Sequence, residues 1–264
     1  MSVKIVIAGP RGKMGSEAVR MVLDQPEFVL TAVLDRKHDG KQLKDITEYQ
    51  ESIPVFSNLE HCLQDIEADV LIDLTVPEVG YLHTKTALNF GVRPVVGTTG
   101  FSSKQLSELK QLSEDKNLGG IIAPNFALGA VLMMKFSKMA AKYFEDVEII
   151  EMHHDQKLDA PSGTALKTAE MIQSERTSKK QGHEKEVESI QGARGAELDG
   201  FRIHSVRLPG LVAHQQVMFG SNSQCLTIKH DSFHRESFMS GIKLSVETVM
   251  KIDTLVYGLE NILD

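Results

Sequence analysis

VKIVIAGPRGKMGSEAVRMVLD, residues 3–24, joins the three signals that decide the fold. Val3–Ala8 is a short apolar run of the kind found in strands covered on both faces. Gly9, Gly12 and Gly15 follow as G-x-x-G-x-x-G, and a helix is predicted from about Lys13 to Leu23, stopped near Pro26. Glycines at a strand-to-helix turn let the backbone approach a pyrophosphate while the helix N-terminus points at it. The spacing differs by one position from the usual G-x-G-x-x-G, but the steric reason for glycine is the same. The second strand, Phe28 to Asp35, ends on an acid about 20 residues beyond Gly15, where a carboxylate bonds the ribose hydroxyls of a dinucleotide. Arg36 follows at once and suits a 2′-phosphate.

The alternation of strand and helix continues outward. Asp69–Thr75, RPVV and GGII read as strands. Helices are predicted from Pro77 to a C-cap at Gly91, and from an N-cap at Ser102 or Ser103. This order calls for a parallel, doubly wound, Rossmann-type sheet. Gly97-Thr98-Thr99 and Ala123-Pro124-Asn125-Phe126 each follow a strand, at the carboxyl edge where such sheets bind ligands. After about residue 125 the pattern changes. A helix over roughly 128–143 leads to the alternating strand DVEIIEMHH, and VESIQGAR, FRIHSVRLPG, QQVMFG and QCLTIKH are all strand-like. Strands in succession predict a mixed or antiparallel sheet in a C-terminal α+β domain. Residues 174–186 read as an exposed loop, and the chain from Phe233 as helical.

Composition sets outer bounds. The 264 residues are 41% hydrophobic and 25% charged, as in an ordinary globular α/β protein. A net charge of −7 argues against nucleic-acid or anionic-membrane partners. Cys62 and Cys225 are far apart and read as free thiols of a reducing compartment. The N-terminus has no signal-peptide pattern, and no apolar run approaches the roughly 20 residues that span a bilayer. A soluble, cytoplasmic protein is expected.

EMHHDQKLDAPSGTA, residues 151–165, concentrates the chemistry. His153 and His154 can carry protons near neutral pH, and Lys157 can serve as an acid or as an anion anchor. Ser162, Gly163 and Thr164 form a helix N-terminus with hydroxyls and free amides, a ready carboxylate site. A solvated loop with a capped helix is the plainer reading of the same residues. A metal site is not expected, because HExxH is absent and no Cys or third His is suitably spaced. Asp155 and Asp159 read as solvated charges.

GPRGKMG, VVGTTGF, APNF, EMHHDQKLDAPSGTA and FRIHSVRLPGLVAHQ together resemble the 4-hydroxy-tetrahydrodipicolinate reductase (dihydrodipicolinate reductase) family of bacterial lysine and diaminopimelate synthesis. The resemblance runs the length of the chain, and its HHDQKLDAPSGTA segment is far more specific than the glycine loop. It implies reduction of a cyclic, dicarboxylated imine-type intermediate with NADH or NADPH, by a homotetramer built largely through C-terminal sheets. Matched motif by motif, it makes His153 a proton donor or acceptor and Lys157 the second proton donor. His154, Gly163 and Thr164 then bind substrate carboxylates. Gly9, Pro10, Arg11, Gly12, Lys13, Met14, Asp35 and Arg36 line the cofactor, with Gly97, Thr98, Thr99, Ala123, Pro124, Asn125 and Phe126. A dinucleotide-binding domain over 1–125, to which 235–264 return, would adjoin a substrate-binding and oligomerisation domain over 126–234. A methyltransferase using S-adenosylmethionine and a dinucleotide-sensing module also suit the glycine loop, but give HHDQK and PSGT no role.

Overall fold

In the computed structural model the described residues are 2–98 and 100–263. β1 (Val3–Ala8) runs into α1 (Lys13–Asp24) and returns as β2 (Phe28–Leu34), followed by the short β3 (Val55–Phe56). The chain then crosses back through α2 (Leu59–Asp65) to β4 (Val70–Asp73). It continues through α3 (Pro77–Asn89), β5 (Arg93–Val96), α4 (Ser103–Lys116) and β6 (Gly120–Ile122). After α5 (Leu128–Ala140) come β7 (Asp146–His153), α6 (Gly163–Gln173), β8 (Ala196–Leu198), β9 (Phe201–Arg207), β10 (Ala213–Ser221) and β11 (Gln224–Ser232). The chain ends with α7 (Met239–Val249) and β12 (Leu255–Tyr257). It divides into two compact units, Met1–Phe126 with Arg235–Asp264, and Ala127–His234.

The first unit holds a seven-stranded sheet in the order β12-β6-β5-β4-β1-β2-β3, with every described pairing parallel. Parallel strands need right-handed crossovers, so reversing the direction of winding moves the helices to the other face. Accordingly α2, α3 and α4 pack side by side, while α1 packs with α7. Both faces are covered, which is why Ile5, Val6, Ile7 and Ala8 are all fully buried. The winding reverses between β1 and β4. Such a switch point leaves a crevice outside the carboxyl ends of the strands, and the glycine loop follows β1 there.

The second unit holds a five-stranded mixed sheet in the order β11-β10-β7-β9-β8. Its β7–β9 pair is parallel and its other pairs are antiparallel. α5 and α6 pack together and onto this sheet. β7 alternates in burial, and Val147, Ile149 and Glu151 occupy its buried phase.

Three expectations are corrected. VESIQGAR forms no strand: Val187 and Ile190 are exposed, and the Glu188 carboxylate accepts the Gly192 and Arg194 amides at 2.9 and 2.8 Å, closing a turn. The C-terminal segment is not helical throughout, because Leu255–Tyr257 pairs with Gly120–Ile122 as an edge strand of the first sheet. The helix expected to reach 143 ends at Ala140.

Candidate active site

The glycine loop is shaped by sterics. Gly9 has φ +85°, a conformation in which side chains are strained. A Cβ on Gly15 would run into the Gly9 carbonyl oxygen, so α1 can start this close to β1 only with glycine. The N-cap, Gly12, has no side chain to occupy the first-turn amides of α1. Those N–H groups suit an anion. Arg11, Gly12 and Lys13 are exposed, Met14 is half-buried, and Pro10 is buried.

Asp35 lies just past β2 and is 8% exposed. Its carboxylate accepts Arg11 Nε at 2.6 Å, the Lys37 amide at 2.9 Å and His38 Nδ1 at 2.7 Å. The structure thus brings together Arg11 and Asp35, two residues named from the sequence, and adds His38, which was not. Burial alone would raise the Asp35 carboxyl, but these bonds outweigh it and hold the group down at about 2. Its ordinary value is 3.8, so the ionised form is worth roughly 2 kcal/mol to the folded state. A depressed acid stabilises above its unfolded value and loses that contribution as pH falls through the folded one. The melting-temperature advantage of wild type over Asp35→Asn should therefore be full above about pH 4 and fade toward pH 2. A pH-independent difference would contradict the network.

Loops after β4, β5 and β6 meet at the same carboxyl edge. A Cβ on Gly97 would lie 2.6 Å from Leu74 Cδ2 and 3.0 Å from Phe126 Cε2. Thr98 is buried and donates its hydroxyl to the Thr75 carbonyl at 3.2 Å. The Thr75 loop is fixed in turn by fully buried Asp73, which accepts the Thr75 amide and hydroxyl and His83 Nδ1. Ala123 and Phe126 are buried, Asn125 is half-buried and Pro124 is exposed. Arg36 is exposed beside Asp35. Thr99 lies outside the described residues.

In the second unit, HHDQK and PSGT are organised by a residue the sequence did not single out. Glu151 is fully buried on β7. Its Oε2 accepts His153 Nδ1 at 2.6 Å and Arg207 Nη1 at 2.9 Å. Its Oε1 accepts Arg207 Nη2 at 2.8 Å and the Ser162 amide at 3.2 Å. The carboxyl stays below its ordinary value: burial raises it, but the bonds from Arg207, Ser205 and His153 prevail. An ionised carboxylate only accepts, so His153 carries hydrogen on Nδ1 and keeps Nε2 for other chemistry. His153 itself is lowered, chiefly by burial, against the pull of Glu151 and with the help of nearby Lys157 and Arg207 charge.

The Lys157 amide donates to the His154 carbonyl at 3.2 Å, folding the loop, and its ammonium pairs with Asp159 at 2.6 Å. Asp159 is exposed, as expected of a solvated charge, and is in addition the ion-pair partner of Lys157; Asp155 is exposed too and accepts a bond from its neighbour Gln156. Ser162 caps α6 by accepting the Ala165 amide at 3.2 Å. Gly163 opens the helix with nothing within 4 Å of a would-be Cβ, and Thr164 follows half-buried. The helix N-terminus is therefore open to a ligand at Gly163. Among the described residues no group of three His, Cys, Asp or Glu side chains is placed to hold a metal ion.

Known proteins share this chain throughout. The family model described as "Dihydrodipicolinate reductase, N-terminus" matches residues 3–126, and its C-terminal counterpart matches 129–263. The 4-hydroxy-tetrahydrodipicolinate reductases of Bacillus velezensis and Bacillus subtilis are 64% and 63% identical over 263 residues, covering 100% of this chain and 98% of each relative. A dipicolinate-bound dihydrodipicolinate reductase from Paenisporosarcina sp. TG-14 superposes with a TM-score of 0.93 at 56% identity, with both chains fully covered. A probable dehydrogenase from Thermotoga maritima, 10% identical over 98% of this chain and 92% of its own, shares the fold at a TM-score of 0.68. The chain belongs to the dihydrodipicolinate reductase family and is a 4-hydroxy-tetrahydrodipicolinate reductase, an oxidoreductase with a dinucleotide-binding N-terminal domain.

Proposed function

We propose that the chain uses NADH or NADPH to reduce its cyclic dicarboxylate at the EMHHDQKLDAPSGTA segment, with His153 and Lys157 handling protons. The observation that carries this reading is the buried Glu151, which ties the His153 ring to the N-cap of α6. One carboxylate thus couples a proton carrier to an open helix N-terminus. The residues of the first unit fit a dinucleotide: the Gly9–Gly15 turn leaves room for a pyrophosphate, and Asp35 stands where ribose hydroxyls bind. When bound, the cofactor supplies a hydride.

The chain's own residues then have divided tasks. First-turn amides of α1 bind phosphate oxygens, while Gly97, Thr98, Thr99, Ala123, Pro124, Asn125 and Phe126 line the nicotinamide end. Gly163, Thr164 and His154 bind the substrate carboxylates. His153 transfers a proton through Nε2, and Lys157 provides a second proton or anchors an anion. Dipicolinate bound to the Paenisporosarcina relative supports a planar dicarboxylate as ligand. Purified, dialysed protein should consume NADH only on addition of 4-hydroxy-tetrahydrodipicolinate, forming tetrahydrodipicolinate in equal amount. Unchanged dihydronicotinamide absorbance with active substrate would remove the reading.

Thr164→Val keeps the shape of the side chain but removes one hydroxyl bond to an anion, worth about 1.5–3 kcal/mol. The substrate KM should rise about tenfold or more while the NADH KM stays unchanged. Cofactor choice is also open to test. Asp35 favours ribose hydroxyls, and exposed Arg36 favours a 2′-phosphate, so both cofactors should work. Arg36→Ala should weaken NADPH selectively; equal losses would place Arg36 elsewhere.

A cytoplasmic homotetramer completes the proposal. No described helix is long and apolar enough to cross a membrane. The half-buried Ile150, Met152, Val206 and Met218 lie on the strand phase opposite the one carrying Val147, Ile149 and Glu151. Copies meeting through that face would cover them, and sedimentation of the purified protein as a monomer would exclude it.

A further inference from the structure

The Arg207 guanidinium lies beside the proposed proton carrier, yet its terminal N–H groups are all in use. Nη1 donates to Glu151 Oε2 and to the Val206 carbonyl at 2.8 Å. Nη2 donates to Glu151 Oε1 and to the Asp159 carbonyl at 2.7 Å. Nε is buried without a hydrogen-bond partner. A guanidinium committed in this way has no terminal donor to offer a substrate carboxylate. Glu151 is equally committed, with each oxygen accepting at least two bonds. The pair forms the two-pronged fork that favours fixed geometry. It also joins β7 and β9, where His153 and Arg207 are register partners.

We propose that Glu151 and Arg207 are positioning residues for the reduction: Glu151 fixes the ring direction and tautomer of His153, and Arg207 balances the Glu151 charge so that His153 can release its proton. A lone buried carboxylate against an imidazole would hold it as imidazolium, a poor donor and no acceptor. A carboxylate already paired with a guanidinium orients the ring without that hold. The other neighbours do not substitute for Arg207. Lys157 adds positive charge from the loop but is paired with Asp159. α6 offers Ser162 and Thr164, neither ionisable, and Lys167 on α6 pairs with Glu170. On β10 the residue level with Glu151 is the neutral Gln215, and beyond it on β11 stands His230, itself lowered by burial. The low position of His153 agrees with this balance.

This inference rests on the reading of His153 as the proton carrier, and the test separates the two. The histidine ring resonances of isotope-labelled full-length protein are titrated without substrate, with His153 assigned by its loss in His153→Gln. Arg207→Gln should raise the His153 midpoint by about one unit or more, a tenfold gain in proton affinity. Glu151→Gln should lower the midpoint and release the fixed Nδ1–H tautomer. Arg207→Lys, which keeps the charge without the fork, should restore most of the wild-type midpoint. Dispersed amide resonances of β7, β9 and β10 identify folded variants, because those strands belong to the unit that carries the substitutions. A midpoint and tautomer unmoved in folded Arg207→Gln and Glu151→Gln overturns the proposal. A moved midpoint with an unmoved kcat–pH profile upholds positioning and instead removes His153 from the chemistry.

Discussion

Replacing His153 by glutamine is expected to lower kcat about 10²-fold or more, the usual contribution of a positioned acid or base. Glutamine can still bond Glu151, so the fold of the segment survives while proton transfer through the ring does not. Lys157→Ala should cost a similar factor. In the unliganded protein the Lys157 ammonium is held by Asp159, which is 60% exposed. Exposed pairs of that kind are worth only about 0–1 kcal/mol, so an incoming substrate carboxylate can take the lysine from Asp159 at little cost. Burial keeps His153 below its ordinary value and therefore neutral at pH 7. A dianionic ligand beside it favours the charged form and should raise it again. Binding of a dicarboxylate inhibitor near pH 7 should accordingly take up protons, read by calorimetry in buffers of different ionisation enthalpy. Near wild-type turnover in both variants would sink the assignment.

How far the sequence discloses this site depends on where each contact originates. The β1-α1 segment is legible because its hydrophobic period switches from strand to helix across three glycines, all within 22 contiguous residues. His153, Lys157 and the PSGT turn are legible for the same local reason. Glu151 was open to notice as well: it is an acid on the buried phase of an alternating strand, and such a residue must be paired. Its partner was not. Arg207 stands 56 positions away, and only the parallel β7–β9 register brings the two together. The failures at fold level have a similar origin. β3 and β12 have two and three residues, too few to show a period, and exist because a neighbouring strand is there to pair with. VESIQGAR has apolar residues in a strand-like setting, but its Glu188 satisfies two backbone amides that a strand would have offered to a ladder.

Gly15→Ala should have the largest effect on cofactor binding of any single methyl added to the chain. The new Cβ would meet the Gly9 carbonyl oxygen, with the Gly9 carbonyl carbon at 2.7 Å and Pro10 Cα at 3.2 Å. All three are backbone atoms of the very turn that must cradle the pyrophosphate, so no side chain can rotate away to make room. The first turn of α1 and the glycine loop must separate, at a cost of about 1–3 kcal/mol for overpacking of this kind. Separation also turns the first-turn amides away from the phosphates. The NADH dissociation constant should rise about tenfold to a hundredfold, with dicarboxylate binding at the other unit little changed. Gly163→Ala provides the contrast, since its Cβ would meet nothing within 4 Å. There the unliganded fold has ample space, and a penalty arises only if a substrate carboxylate occupies that space. Gly163→Ala should thus leave thermal stability and NADH affinity intact while raising the substrate KM. An unchanged NADH dissociation constant in folded Gly15→Ala would show that the loop does not carry the pyrophosphate.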